Sequence, residues 1–189
     1  MDKLFLDLDD VVAHLHVAIA EYCGISDEHL ESTSGIPFNF DHVFRRPPDV
    51  FRDFDSSWWA SLPPTPWKDS VVDFVLGCVH GGWDDIHVVT ALPMEFGSTV
   101  VGAAVKGKID WCAVHLPGLN PTHITFMKHK GMLASEGTGM VDDMQRNVEA
   151  FGKNGVLIPS RWNGRWNHFH DFSADPRLYL DREYGYLTV

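Results

Sequence analysis

Residues 4–12 read Leu4-Phe5-Leu6-Asp7-Leu8-Asp9-Asp10-Val11-Val12. The apolar start has the composition of a buried strand, and it stops abruptly among acids. On an extended chain residues i and i+2 point the same way. A strand predicted over 3–9 therefore brings Asp7 and Asp9 to one side at its carboxyl end. Ligands of open α/β sheets bind outside that end. Two carboxylates crowded there repel each other unless a cation or a shared proton relieves them. A Mg²⁺ site that leaves one acid free for chemistry explains the pattern economically.

Outward from this strand the chain alternates between the two regular periodicities. A helix is expected over 11–23, with Val12, Leu15, Ile19 and Cys23 on one face. Residues 24–66 break the rhythm. They are rich in Pro, Phe, Asp and Trp without strand alternation, which suggests a small, mostly helical insertion. Pro63-Pro64-Thr65-Pro66 is its stiff return linker. Further helices are expected over 68–79, 96–115 and 145–152, the second weakened by Gly102 and Gly107. Strands are expected over 85–90, ending in Thr90, over 123–126, over 139–141 leading into Asp142-Asp143, and over 155–159. Alternating elements of this kind imply an α/β fold, with a mostly parallel sheet and helices on both faces. The aromatic, polar C-terminal stretch shows no clear period and reads as a packed tail.

With 189 residues, one domain with a small insertion is expected. The formal charge of −11 argues against a long polyanionic partner, which needs a basic surface, but not against a small phosphorylated ligand. Cys23, Cys78 and Cys112 are widely spaced and form no zinc-type or redox-type pair, so free thiols in a reducing cytosol are expected. No signal-peptide pattern and no apolar run of membrane-spanning length occurs. The expected location is cytoplasmic, with no membrane partner; a homodimer stays open.

Four features sit at successive predicted strand ends: Asp7/Asp9, Thr90, a lysine (Lys128 or Lys130), and Asp142/Asp143. Each has a bland reading in isolation. Asp-x-Asp can be a strand end with a helix cap, Thr90 a β-branched strand residue, Asp142-Asp143 a capping pair, and either lysine a solvated surface charge. In order and in register they resemble the haloacid dehalogenase (HAD) phosphohydrolase superfamily. Trp59-Ala60-Ser61-Leu62-Pro63, Val141-Asp142-Asp143-Met144-Gln145-Arg146-Asn147 and Val156-Leu157-Ile158-Pro159-Ser160-Arg161-Trp162-Asn163 look like its 5′(3′)-deoxyribonucleotidase branch, of bacterial and phage type.

The resemblance implies a Rossmann-like core over 1–23 and 67–189, with 24–66 as a small helical cap. It implies a Mg²⁺-dependent phosphatase acting on nucleoside monophosphates. Asp7 would be the nucleophile, Asp9 the general acid and base, and Thr90 a donor to a phosphoryl oxygen. The lysine would neutralise charge; Lys130, 12 residues ahead of Asp142, is preferred to Lys128. Asp7, the Asp9 carbonyl and Asp143 would hold the metal, with Asp142 behind them. Asn147, four residues after Asp143, completes the family's pattern. The family usually has Gly where this chain has Asp10. Asp tolerates the left-handed turn this requires, and its carboxylate could act on Asp9, recruit metal or face solvent, the last being preferred.

The aromatic residues of the insertion are mostly core. Phe44, Trp58 and Trp59 are the candidates for stacking on a base. His14, His16, His168 and His170 read as hydrogen-bonded or solvent-facing, and Arg161 and Arg165 as surface residues. Rival readings are a phosphatase of polynucleotide ends or small metabolites, and a HAD-like binding protein without catalysis.

Overall fold

The first strand is shorter than the sequence pattern suggests. In the computed structural model, which describes residues 2–83, 85–118 and 123–188, β1 spans Lys3–Leu6 and the chain leaves the sheet at Asp7. Four further strands follow: β2 (Asp85–Thr90), β3 (Ile124–Phe126), β4 (Thr138–Asp142) and β5 (Gly155–Leu157). All pair in parallel, in the order β3-β2-β1-β4-β5. The chain moves outward to one edge and then returns to the other side of β1. This is the doubly wound arrangement, whose crevice lies where the strand order reverses, between β1 and β4.

Alternation along β1 separates the two faces of the sheet. Leu4 and Leu6 enter the large core cluster, while Phe5 joins Val89, Met140 and Phe151 in a smaller one. Every residue of β4 is buried, as expected of a parallel strand covered on both sides. Each fully buried Leu or Phe contributes roughly 1.5–3 kcal/mol.

The helices are α1 (Leu15–Cys23), α2 (Asp27–Ser32), α3 (Phe40–Phe44), α4 (Ser56–Ala60), α5 (Lys68–His80), α6 (Ser98–His115), α7 (Gln145–Val148), α8 (Phe169–Ala174) and α9 (Pro176–Tyr184). The predicted helix over 11–23 starts late because residues 11–14 are engaged elsewhere. Val11 O accepts from Thr65 Oγ1 and Trp67 Nε1, Thr65 N donates to Val12 O, and His14 N donates to Pro63 O. These bonds fasten the return end of the 24–66 segment to the stretch between β1 and α1, close to Asp7.

Within that segment α2, α3 and α4 are each opened by a side-chain cap, from Ser26, Asn39 and Asp55 respectively. Capping satisfies backbone N–H groups that a short helix cannot pair internally.

Gly107 does not interrupt α6. A Cβ there would lie 2.3 Å from Trp59 Cβ and 2.5 Å from Ser56 O. The glycine is what allows α6 to approach α4. The C-terminal stretch, read from the sequence as a packed tail without a clear period, is helical. It forms α8 and α9, the latter started by Asp175, whose carboxylate accepts from Leu178 N, with Pro176 in the first turn. Pro is suited to that position because its missing N–H is unpaired there anyway. Tyr184 OH then bridges to Leu157 N and O of β5.

Candidate active site

Asp7 is held at the carboxyl end of β1 by its backbone, whose N–H donates to Val141 O at 2.9 Å. The register that pairs Leu6 with Val141 brings the next residues, Asp7 and Asp142, side by side across the crevice. Asp143 follows directly. Carboxylate oxygens of Asp7, Asp142 and Asp143 lie within 4.8 Å of one another, and all three residues are buried.

One cation enters this group. Lys130 Nζ lies 2.5 Å from Asp7 Oδ2 and 3.0 Å from Asp142 Oδ2, and the lysine is buried. Lys128 is exposed, so the structure separates the two lysines that spacing left open. Burial alone would lower the Lys130 pKa, but Asp7 and Asp142 outweigh it and hold the ammonium charged.

Three buried carboxylates facing one lysine remain under-compensated. Burial pushes the Asp7 pKa up to about 8, with Asp142 and Asp9 acting in the same direction and Lys130 opposing. Burial, then Asp142, Asp10 and Asp7, raise Asp143 well above the usual carboxylate range. Such a site takes up either protons or a cation. Its donors are all oxygen, the set that suits a hard divalent ion.

Asp142 and Asp143 differ in what engages them. Asp142 Oδ1 accepts from Met144 N at 2.6 Å, and Oδ2 accepts from Lys130 and from Asn147 Nδ2 at 3.0 Å. The Asn147 amide thus serves Asp142. Among the described residues no hydrogen-bond donor engages the Asp143 carboxylate, which leaves its oxygens available. Its backbone is fixed instead, because Asn163 Nδ2 donates to Asp143 O at 2.8 Å and also to Ile158 O.

Asp9 stands apart from this trio. With the strand ending at Leu6, the i, i+2 rule no longer governs its direction. Its Oδ2 lies 2.5 Å from Lys108 Nζ and accepts from Thr90 Oγ1 at 3.1 Å. Its Oδ1 is buried without a partner. Lys108 also donates to Thr90 Oγ1 at 2.7 Å and to Ala91 O at 2.8 Å, and its ammonium lies 5.1 Å from the Trp59 ring centroid.

Lys108 went unnoticed in the sequence, although a signal was present. Val100, Ala104, Lys108, Trp111 and Cys112 form the buried stripe of α6. A lysine on an apolar helical stripe is out of place unless something pairs with it.

Asp10 adopts the left-handed conformation, with φ 58°. Its carboxylate does not face solvent. His16 Nδ1 pairs with it and His16 N donates to it at 3.0 Å. Burial acts to raise the Asp10 pKa, but the His16 contacts outweigh it and bring the group below its ordinary value.

The three aromatic candidates are all packed. Phe44 is fully buried and its ring lies parallel to His16 at 5.8 Å. Trp59 is 1% exposed and stacks on Phe51. Trp58 stacks on Phe54 at 3.5 Å. Around His16 the rings with open surface are Phe38, 38% exposed, and Trp162, half-buried, whose centroids lie 4.8 Å and 4.7 Å from the His16 ring. Arg161 pairs with Glu31, and Arg165 with Glu183 and Tyr179 OH.

A family model described as "5' nucleotidase, deoxy (Pyrimidine), cytosolic type C protein" matches residues 60–175, more than half of the chain. The matched span contains Thr90, Lys108, Lys130, Asp142 and Asp143 and begins after β1. No curated protein matches the chain. Among the described residues no helix is long and apolar enough to cross a membrane.

Proposed function

This chain belongs to the 5′ nucleotidase, deoxy (pyrimidine), cytosolic type C family of phosphoric monoester hydrolases with a HAD-type core, and from that membership we propose that it hydrolyses nucleoside monophosphates, deoxyribonucleotides foremost, with Mg²⁺ and through an aspartyl-phosphate. The observation that carries this reading is the convergence of Asp7, Asp142 and Asp143 on Lys130 at the carboxyl ends of the two central strands.

Phosphate monoesters resist hydrolysis because the dianion repels nucleophiles. Asp7, Asp143 and the Asp9 carbonyl would hold Mg²⁺, with Asp142 fixed behind them by Met144 N and Asn147. The bound ion supplies charge neutralisation to the phosphoryl group and to Asp7. Lys130 contributes a second, permanent positive charge beside Asp7. The Asp7 carboxylate attacks phosphorus, and the bond to the nucleoside oxygen breaks as Asp9 gives that oxygen a proton. Asp9 then takes a proton from water, which cleaves the acyl phosphate, releasing inorganic phosphate and restoring Asp7.

Lys108 is a positioning residue here. By engaging Asp9 Oδ2 it fixes the orientation of the carboxyl group that exchanges the proton. Thr90 supports the same acid and offers its hydroxyl near the phosphoryl position. Residues 24–66 serve as the cap, fastened at its return end by the bonds between 11–14 and 63–67. Phe38, with Trp162 from the core, is the aromatic surface for the base; Phe44, Trp58 and Trp59 hold the cap together.

The test is a panel of nucleoside 5′- and 3′-monophosphates, an aryl phosphate, a sugar phosphate and a 5′-phosphorylated oligonucleotide, each with Mg²⁺ and with chelator. The reading expects chelator-sensitive turnover highest on deoxynucleotides and none in Asp7→Asn. Full Mg²⁺-dependent activity in Asp7→Asn would overturn the nucleophile. Preference for the oligonucleotide end or the sugar phosphate would overturn the substrate class.

A further inference from the structure

At the amino end of β2, opposite Thr90, the chain assembles a second convergent set of side chains. Asp85 and His87 are i, i+2 in β2 and share one face of the sheet. The register Val88↔Ile124 sets His123 beside His87, just ahead of the edge strand β3. His87 Nε2 lies 2.9 Å from Asp85 Oδ2, and His123 Nδ1 lies 3.1 Å from Asp85 Oδ1. The two imidazoles lie face to face, with centroids 4.4 Å apart and an interplanar angle of 15°. Ligand atoms of all three residues fall within 4.8 Å of one another.

We propose that Asp85, His87 and His123 bind one divalent transition-metal ion of the zinc class. Tetrahedral zinc with nitrogen and oxygen ligands at about 2.0–2.2 Å holds those ligands roughly 3.3 Å apart; His87 Nε2 and His123 Nδ1 already face separate oxygens of Asp85, and rotation of the rings and the carboxylate would bring one atom of each residue to the ion. Imidazole with carboxylate selects such ions, whereas an all-oxygen set favours Mg²⁺. The two acidic sites of this protein therefore differ in metal preference by ligand chemistry. The three side chains are 31%, 17% and 28% exposed, so water can reach the remaining coordination position. Phe5 packs against His87 at 5.9 Å and fixes its ring from the buried side. The ion would tie the three-residue edge strand β3 to β2, where few hydrogen bonds hold the sheet margin.

The test is calorimetric titration of metal-free protein with Zn²⁺ in excess Mg²⁺, which occupies the all-oxygen site. The wild type and Asp143→Asn should each bind one Zn²⁺, with a rise in melting temperature. His123→Gln should lose at least about tenfold in affinity, the loss that even an indirect partner of a metal causes, while its Mg²⁺-dependent phosphatase activity stays unchanged. Anomalous diffraction at the zinc edge on wild-type crystals should place the ion within bonding distance of His87 Nε2, His123 Nδ1 and an Asp85 oxygen, and it keeps the test independent of variant folding. Zn²⁺ binding lost in Asp143→Asn but kept in His123→Gln, an ion located elsewhere, or no binding at all would overturn the proposal and leave a hydrogen-bonded Asp–His cluster.

Discussion

Lys108 holds Asp9 from the far side of the site. Its ammonium lies 2.5 Å from Oδ2, and 99 residues of chain separate the two. The lysine is 1% exposed. A buried ammonium is costly unless paired, so the contact orients Asp9 and justifies the charge on α6 together.

Lys108→Met removes the ammonium while keeping the length of the side chain. Under the proposed role, Asp9 loses its fixed orientation, and kcat and kcat/KM fall together by roughly 10²-fold, the lower range for a misplaced general acid. Steady-state kinetics alongside circular dichroism checks this. A rise in KM with kcat intact would assign Lys108 to substrate binding instead.

Asp7→Asn separates charge from shape. In metal-free protein the folded state raises the Asp7 pKa from 3.8 to about 8. The resulting stabilisation is complete below pH 3.8 and is lost as pH rises towards 8. The Asn variant carries no such penalty. Its melting temperature should exceed that of the wild type by at least about 2 °C at pH 8, with the gap shrinking toward pH 5. Added Mg²⁺ should close it by stabilising the wild type.

Asp143→Asn tests the direct metal ligand against its support. The apparent Mg²⁺ requirement should rise by more than about tenfold, beyond the effect of outer partners. Asn147→Leu, which reaches the site only through Asp142, should cost less. The measurement is activity against Mg²⁺ concentration for both variants.

Phe38→Ala and Trp162→Ala address base recognition. Loss of one stacking surface is worth about 1–3 kcal/mol, so KM for nucleotides should rise roughly tenfold while turnover of an aryl phosphate stays level. Trp59→Leu should instead lower thermal stability, since that ring is packed between Phe51 and Lys108.

Gly107→Ala forces a methyl group into the backbone and side chain of α4. Destabilisation of about 1–3 kcal/mol is expected. Because Lys108 is the next residue, kcat should fall as well; urea unfolding and kinetics on one preparation measure both.

Much of this was legible in the sequence because it depends on local patterns. Apolar runs ending in acids located β1 and β4, and Thr90 marked the end of β2. The same patterns failed where the chain left regular structure. The direction of Asp9 followed from i, i+2 alternation only as long as the strand continued, and the strand ends at Leu6. The C-terminal helices carry a readable start at Asp175-Pro176, but their short apolar faces blurred the period.

The order of acidic strand tips along the chain is a property of the sequence alone, because strand composition and the acids that follow it are local. Which side chains meet is a property of the assembled sheet and helices. Parallel register set Asp7 beside Asp142, burial selected Lys130 over Lys128, and the close approach at Gly107 carried Lys108 to Asp9. Charge pairing acts over a few ångströms in space, and chain distance does not record it.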